Sequence, residues 1–356
     1  MKKTVKTTET ILLIITIFFA LFLIFCYSSN KNSKGKDLKV LTERGYCNLV
    51  DAGDIKLNVP IFGYDSPEHT VVCIGGSGDS TFAPAMNNLS TYVHGNLRYA
   101  VIERPGYGLS EVGKKEMTAE YVVECSRKAL ESAGIDTPYI LLAHSLGGIY
   151  AEYWFNKYPE EIEGVLLLDT VFPGDNINSE PENIYNKLIN LHESLGLSNT
   201  FRKKEMPVLA KMLPEVYRDT SKRMWYYNPN NKSRSSESSL IEKNLDTVDT
   251  ITQKTNIPKI FLSTDSFKLE DFKIAIQFQF EAAGIELTDE IINKRYEEYC
   301  KDRNEDFIEA RNLYLSKIGN VTLNNYPSSH FIYLQYPDIV AVQLELLLEK
   351  IELPIE

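Results

Sequence analysis

The sequence predicts an α/β chain: a mostly parallel, doubly wound sheet, an inserted helical cap and an N-terminal transmembrane helix. Three observations carry this. Short, continuous apolar runs at Thr70–Ile74, Tyr99–Ile102, Tyr139–Leu142 and Val165–Leu168 alternate with helical patterns, the signature of parallel strands covered on both faces. A long stretch rich in helix formers, Thr170 to Asn256, then breaks that rhythm. At the start, Ile11 to Tyr27 is almost purely apolar, and about 17 such residues match the short end of a bilayer span.

Whole-chain numbers narrow the class of function. With 356 residues, 43% hydrophobic and 24% charged, the chain can bury one large α/β core with insertions. A formal net charge of −11 supplies no basic stripe, which argues against nucleic acid as a partner. The five cysteines, Cys26, Cys47, Cys73, Cys125 and Cys300, lie far apart with no C-x-x-C pair. Neither a zinc site nor a dense disulfide framework follows from that spacing.

The N-terminal apolar run follows Lys2, Lys3 and Lys6 and has no A-x-A-like cleavage site after it, so an uncleaved signal anchor is favoured over a signal peptide. The expected organisation is a cytoplasmic N-terminus (1–10), a transmembrane anchor (11–27), a flexible polar linker (28–39), the first part of the core (40–169), the cap (170–256) and the rest of the core (257–356). Within the last part, about 267–306 reads as a second, charged helical insertion. Lys31, Lys34, Lys36 and Lys39 balance the lysines before the span, so charge does not fix the orientation. A membrane location with the soluble domain outside the cell is the default expectation.

From Val40 to Phe62, weak alternation and the turn Asp51-Ala52-Gly53-Asp54 suggest antiparallel edge strands. Thr70–Ile74 runs into Gly75-Gly76-Ser77-Gly78-Asp79-Ser80, a loop with little side-chain bulk whose amides can approach a ligand closely. The Ser77 N–H is the candidate donor to a developing oxyanion. A dinucleotide-binding turn is the rival, but the full G-x-G-x-x-G pattern and its acidic partner are missing. Thr118 to Ala133 is an amphipathic helix ended by Gly134.

The stretch with the most chemistry is Tyr139-Ile140-Leu141-Leu142-Ala143-His144-Ser145-Leu146-Gly147-Gly148. An apolar strand meets a small-residue turn, and Ile149, Tyr150, Ala151, Trp154 and Phe155 continue at helical spacing. This is the order of a nucleophile elbow, G-x-S-x-G with Ala143 at the first glycine, in which the Leu146 N–H points at the same spot as Ser145. The alternative is a turn whose serine merely caps a helix. A serine hydroxyl needs a base and an acid that orients the base. Of the five histidines, His144 shares the tight turn, His69 and His94 come early and His192 lies in the cap; His330 alone sits between the last strand and the last helix.

Taken together, the Gly75 loop, Glu103-Arg104-Pro105-Gly106-Tyr107-Gly108-Leu109-Ser110, the Ser145 elbow with Tyr158-Pro159 behind it, and the His330 loop followed by Gln335-Tyr336-Pro337 resemble the α/β-hydrolase superfamily. The branch is cap-bearing and similar to proline iminopeptidases and haloalkane dehalogenases. Glu103 replaces the usual aspartate of the D-R-x-G-x-G-x-S loop, for which the resemblance implies a structural role. Ser145 argues against the aspartate nucleophile of dehalogenases. The resemblance implies a Ser145–His330 pair completed by an acid, with Asp265 put ahead of Asp169. It implies a serine hydrolase acting on a small-molecule ester or amide through an acyl-enzyme, with no metal or organic cofactor. An acyltransferase or aminopeptidase on the same scaffold, or a non-catalytic binding protein, are the alternatives.

Overall fold

In the computed structural model, residues 2–175, 177, 179, 183–197 and 205–352 are described. Nine strands are present among them: β1 (Leu49–Asp51), β2 (Lys56–Asn58), β3 (Ile61–Gly63), β4 (His69–Ile74), β5 (Leu97–Ile102), β6 (Tyr139–His144), β7 (Ile162–Leu168), β8 (Lys259–Ser263) and β9 (Val321–Asn325). β1 and β2 form a separate antiparallel pair, and the other seven make one sheet in the order β3-β5-β4-β6-β7-β8-β9. Only β3 runs antiparallel; every other neighbour is parallel.

The apolar runs are continuous because both faces of the sheet are covered. Side chains alternate along a strand, so Val72, Ile74, Leu141, Ala143, Val165 and Leu167 enter one core with Trp154 and Phe155. Val71, Cys73, Ile140, Leu142, Leu166 and Leu168 enter the other with Phe82, Met86, Leu344 and Leu347. β6 is buried along its whole length. The helix expected at 118–133 spans Ala119–Ser132, its Thr118 side chain accepting the Tyr121 N–H as an N-cap does.

Helices fill both interruptions. Between β7 and β8 lie Ile184–Ser194, Val208–Met212, Glu215–Tyr227, Lys232–Ser239 and Ile241–Ile251. Between β8 and β9 lie Leu269–Ala283, Asp289–Asp302 and Glu305–Ile318, so the second insertion extends past the expected end near 306. Pro337–Glu352 closes the described chain.

The stretch expected to be a flexible linker is helical. One helix runs over Lys2–Glu43, and it is long and apolar enough to cross a membrane. From Ile11 to Phe25 its large apolar side chains are mostly exposed, whereas Cys26, Asn30, Asp37 and Leu41 are buried. Those positions share one helix face, and that face packs on the first insertion. Asp37 Oδ1 takes Arg223 Nη1 at 2.7 Å, Lys34 Nζ donates to Asn228 at 3.2 Å, and Arg44 reaches Thr220 at 2.8 Å. Tertiary contacts thus override the polar, glycine-containing composition that suggested a tether.

Candidate active site

β6 delivers Ser145 at the carboxyl edge of the sheet, where its φ of 52° is a left-handed conformation that few non-glycine residues adopt. The strain is enforced by neighbours. The Ser145 N–H donates to Leu168 O at 3.2 Å and its carbonyl accepts from Gly148 and Val171, which fixes the turn between β6 and β7. A Cβ on Gly147 would stand 2.4 Å from Ile74 O, and one on Gly76 would stand 3.0 Å from Ser145 Cβ. Glycine at 147 therefore lets the helix start against β4, and glycine at 76 lets the β4 loop lie directly against the serine. Leu146 is buried and Ser77 exposed. Among the described residues, the backbone N–H groups of both have no hydrogen-bond acceptor.

His330 arrives from the loop after β9. His144 Nε2 lies 2.8 Å from the carbonyl oxygen of His330, joining residues 186 positions apart, and the two rings stand 4.6 Å apart between centroids. The elbow and the His330 loop therefore meet at one rim. Burial, followed by the neighbouring His330, pulls the His144 imidazole down to about 3. It is neutral, so it donates Nε2–H to that carbonyl and adds no positive charge beside the His330 ring.

The two candidate acids have different partners. His330 Nδ1 hydrogen-bonds Asp169 Oδ2 at 2.6 Å, while Asp265, the residue put ahead from sequence, is taken by Arg311 Nη1 at 2.6 Å. Asp265 and Arg311 side chains are 2% and 6% exposed, and the same guanidinium nitrogen also donates to Ser263 at 3.0 Å. The arginine comes from Glu305–Ile318, and it closes Asp265 into a buried pair. Asp169 ends β7 with φ 43°, its amide donating to Leu262 O at 2.8 Å. Burial pushes its carboxyl up, but Arg303, the hydrogen bond and charge of His330, and Thr264 outweigh burial and hold it below the ordinary carboxylate range.

A buried network links the first insertion to the glycine loop. Arg104 donates to Gly75 O and, at 3.0 Å, to Gly76 O, and its Nε pairs with Glu237 at 2.8 Å. Glu237 also accepts from Tyr150 OH at 2.7 Å and from Tyr107 OH. The Tyr107 oxygen in turn accepts the Gly78 N–H at 3.1 Å. Sequence reading missed Glu237, which sits in a serine-rich run that carries no motif. Glu103 has the expected structural role: its carboxylate accepts from Leu109 N at 2.6 Å and Asn58 Nδ2 at 2.9 Å. Burial dominates those bonds and pushes it up to about 8.

A cavity of about 710 Å³ opens on Asp169 and His330 from the side of the second insertion, with Thr264, Phe272, Tyr299 and Arg303 among its walls. The aromatic run Trp225-Tyr226-Tyr227 is not on those walls; Tyr227 instead lies under Lys34 at 5.1 Å. His69 and His94 are engaged elsewhere, with Glu163 and Glu345.

With this geometry in place, comparison with known proteins defines the class. The alpha/beta hydrolase fold family model matches residues 70–260, more than half of the chain, and the chain belongs to that family. It is 38% identical over 130 residues to YbdG of Bacillus subtilis (strain 168), a match spanning 36% of this chain and 39% of that protein. It thus spans about two fifths of that relative's length. Among solved structures, it is similar to the haloalkane dehalogenase DatA of Agrobacterium tumefaciens C58, with 16% identity, TM-score 0.54, and 85% and 96% of the two chains covered. The esterase EaEST of Exiguobacterium antarcticum matches with 14% identity, TM-score 0.51, and 86% and 100% covered. At these identities the structural likeness concerns the fold.

Proposed function

We propose that this protein is a membrane-anchored serine hydrolase that cleaves a small-molecule ester or amide through an acyl-enzyme, with Ser145 as nucleophile, His330 as base and Asp169 as acid. The observation that carries the reading is the 2.6 Å His330–Asp169 hydrogen bond at the rim where the strained Ser145 turn emerges. With Nδ1–H given to Asp169, Nε2 of His330 is the basic nitrogen. It takes the hydroxyl proton as Ser145 Oγ forms a bond to the substrate carbonyl carbon. The carbonyl π electrons move to oxygen, where the amides of Leu146 and Ser77 stabilise the negative charge. Collapse breaks the bond to the alcohol or amine, which leaves with the proton from His330. Water then repeats the sequence on the acyl-serine, releasing the acid and restoring the hydroxyl.

Asp169 holds the imidazole in the required tautomer and stabilises its transient charge. The neutrality of His144 supports this cycle, because a cation there would oppose protonation of His330. The exposed apolar surface of Ile11–Phe25 supports anchoring in a bilayer, and the docked segment after it favours a hydrolase domain held close to that surface, on the outer side in our reading.

Ser145→Ala tests the proposal. Hydrolysis of short p-nitrophenyl esters by full-length protein in detergent should fall at least ~10³-fold with the fold intact. Undiminished turnover by this variant excludes Ser145 as nucleophile.

A further inference from the structure

We propose that Arg303, contributed by the second insertion, is a positioning residue of this site: it holds Asp169 as a carboxylate aligned on His330. The inference rests on the serine-hydrolase reading above. Arg303 Nη2 stands 3.6 Å from Asp169 Oδ2, the oxygen that also takes His330 Nδ1. The two side chains are 24% and 3% exposed, so water screens their attraction only in part.

Burying a carboxylate against a neutral imidazole alone is unfavourable, and Arg303 is the foremost charge that offsets the burial of Asp169. Arg311 cannot take over, because Asp265 holds it at 2.6 Å. Arg303 is anchored by its backbone N–H, which donates to Tyr299 O at 2.9 Å, and by the Phe307 ring, 4.2 Å from its guanidinium carbon, while the guanidinium meets Asp169 only at 3.6 Å. It acts on Asp169 through charge at a short stand-off, which leaves Oδ2 available to His330. Thr264 just beyond β8, Tyr299 one turn before Arg303, and His144 at the elbow are further polar groups beside this pair.

A cation beside the Asp169–His330 unit disfavours its protonation, so removing it makes the unit easier to protonate. The acid limb of the pH–rate profile then moves to higher pH. The experiment compares wild type, Arg303→Met and Arg303→Lys as full-length protein in detergent, reading kcat/KM on p-nitrophenyl butyrate from pH 4 to 9. Arg303→Met should lose roughly 10-fold or more at neutral pH and shift its acid limb upward by about one unit, while Arg303→Lys restores the wild-type limb. If Arg303→Met fails to fold, Arg303→Gln reads the same shift with a polar stem. Lower activity with an unmoved limb in the folded variant overturns the proposal. Asp169→Asn, run alongside, separates the two claims: if it is fully active the triad reading falls, whereas an inactive Asp169→Asn beside an unshifted Arg303 variant removes only the role of Arg303.

Discussion

β7 and β8 are parallel neighbours in the sheet, and an aspartate follows each of them, yet the surroundings divide the work. Asp265, beyond β8, is locked by Arg311 at 2.6 Å in a pair almost sealed from solvent. Asp169, just beyond β7, meets its arginine only at 3.6 Å and accepts a hydrogen bond from His330 Nδ1 at 2.6 Å. Both arginines come from the second insertion, from the end of one helix and the middle of the next. Two carboxylates just beyond the ends of adjacent strands are thus made different by how closely a cation approaches. A guanidinium at hydrogen-bond distance occupies the carboxylate; one at a stand-off leaves it to pair with the histidine.

The comparison is most severely strained by exchanging the acids. Asp169→Asn should lower kcat by about 10³–10⁴-fold, because the imidazole loses its orienting anion and correct tautomer. Asp265→Asn should retain most of its kcat but lose about 3 kcal/mol of stability or more, since Arg311 is left buried without its partner. Urea titration and steady-state rates on both variants check this; a catalytic defect confined to Asp265→Asn would restore the assignment made from sequence.

A smaller effect is expected at the other side of the serine. Glu237→Gln removes the charge that holds Arg104, and Arg104 holds the Gly75 and Gly76 carbonyls. We expect kcat to fall by about 10- to 100-fold from misplacement of the Ser77 amide, with less change in KM. A variant with normal kcat would show that the glycine loop holds its shape without the insertion.

The smallest effect is on stability. His144 is depressed from 6.5 to about 3, so its contribution is present above about pH 6.5 and is lost as pH falls below that toward 3. Glu103 is raised from 4.5 to about 8, so its contribution has the opposite sign, present below about pH 4.5 and lost as pH rises toward 8. The two oppose each other between pH 5 and 7, and the readout is therefore the difference between wild type and His144→Gln. The variant should lose less stability than wild type when urea unfolding is moved from pH 7 to pH 5; equal losses would mean that His144 is not the titrating group.

The parts of this molecule that were legible in sequence are those decided within a few residues. The apolar strands, the small-residue turn at Ser145 and the Thr118 cap follow from local periodicity and backbone sterics, and His330 follows from its place between the last strand and helix. Which aspartate pairs with His330 was not legible, because Arg303 and Arg311 reach the two carboxylates from helices far along the chain, inside a stretch that reads only as charged. The segment after Tyr27 was misread for a related reason: its composition is that of a tether, and its helicity depends on Asp37 and Leu41 finding the first insertion.

The most direct measurement is labelling of the full-length protein with a fluorophosphonate, with the adduct located by mass spectrometry. Our account predicts a single adduct on Ser145, absent in Ser145→Ala, strongly slowed in Asp169→Asn and close to wild-type rate in Asp265→Asn. No adduct on the folded protein, or labelling that survives loss of Asp169 and disappears with Asp265, would contradict it.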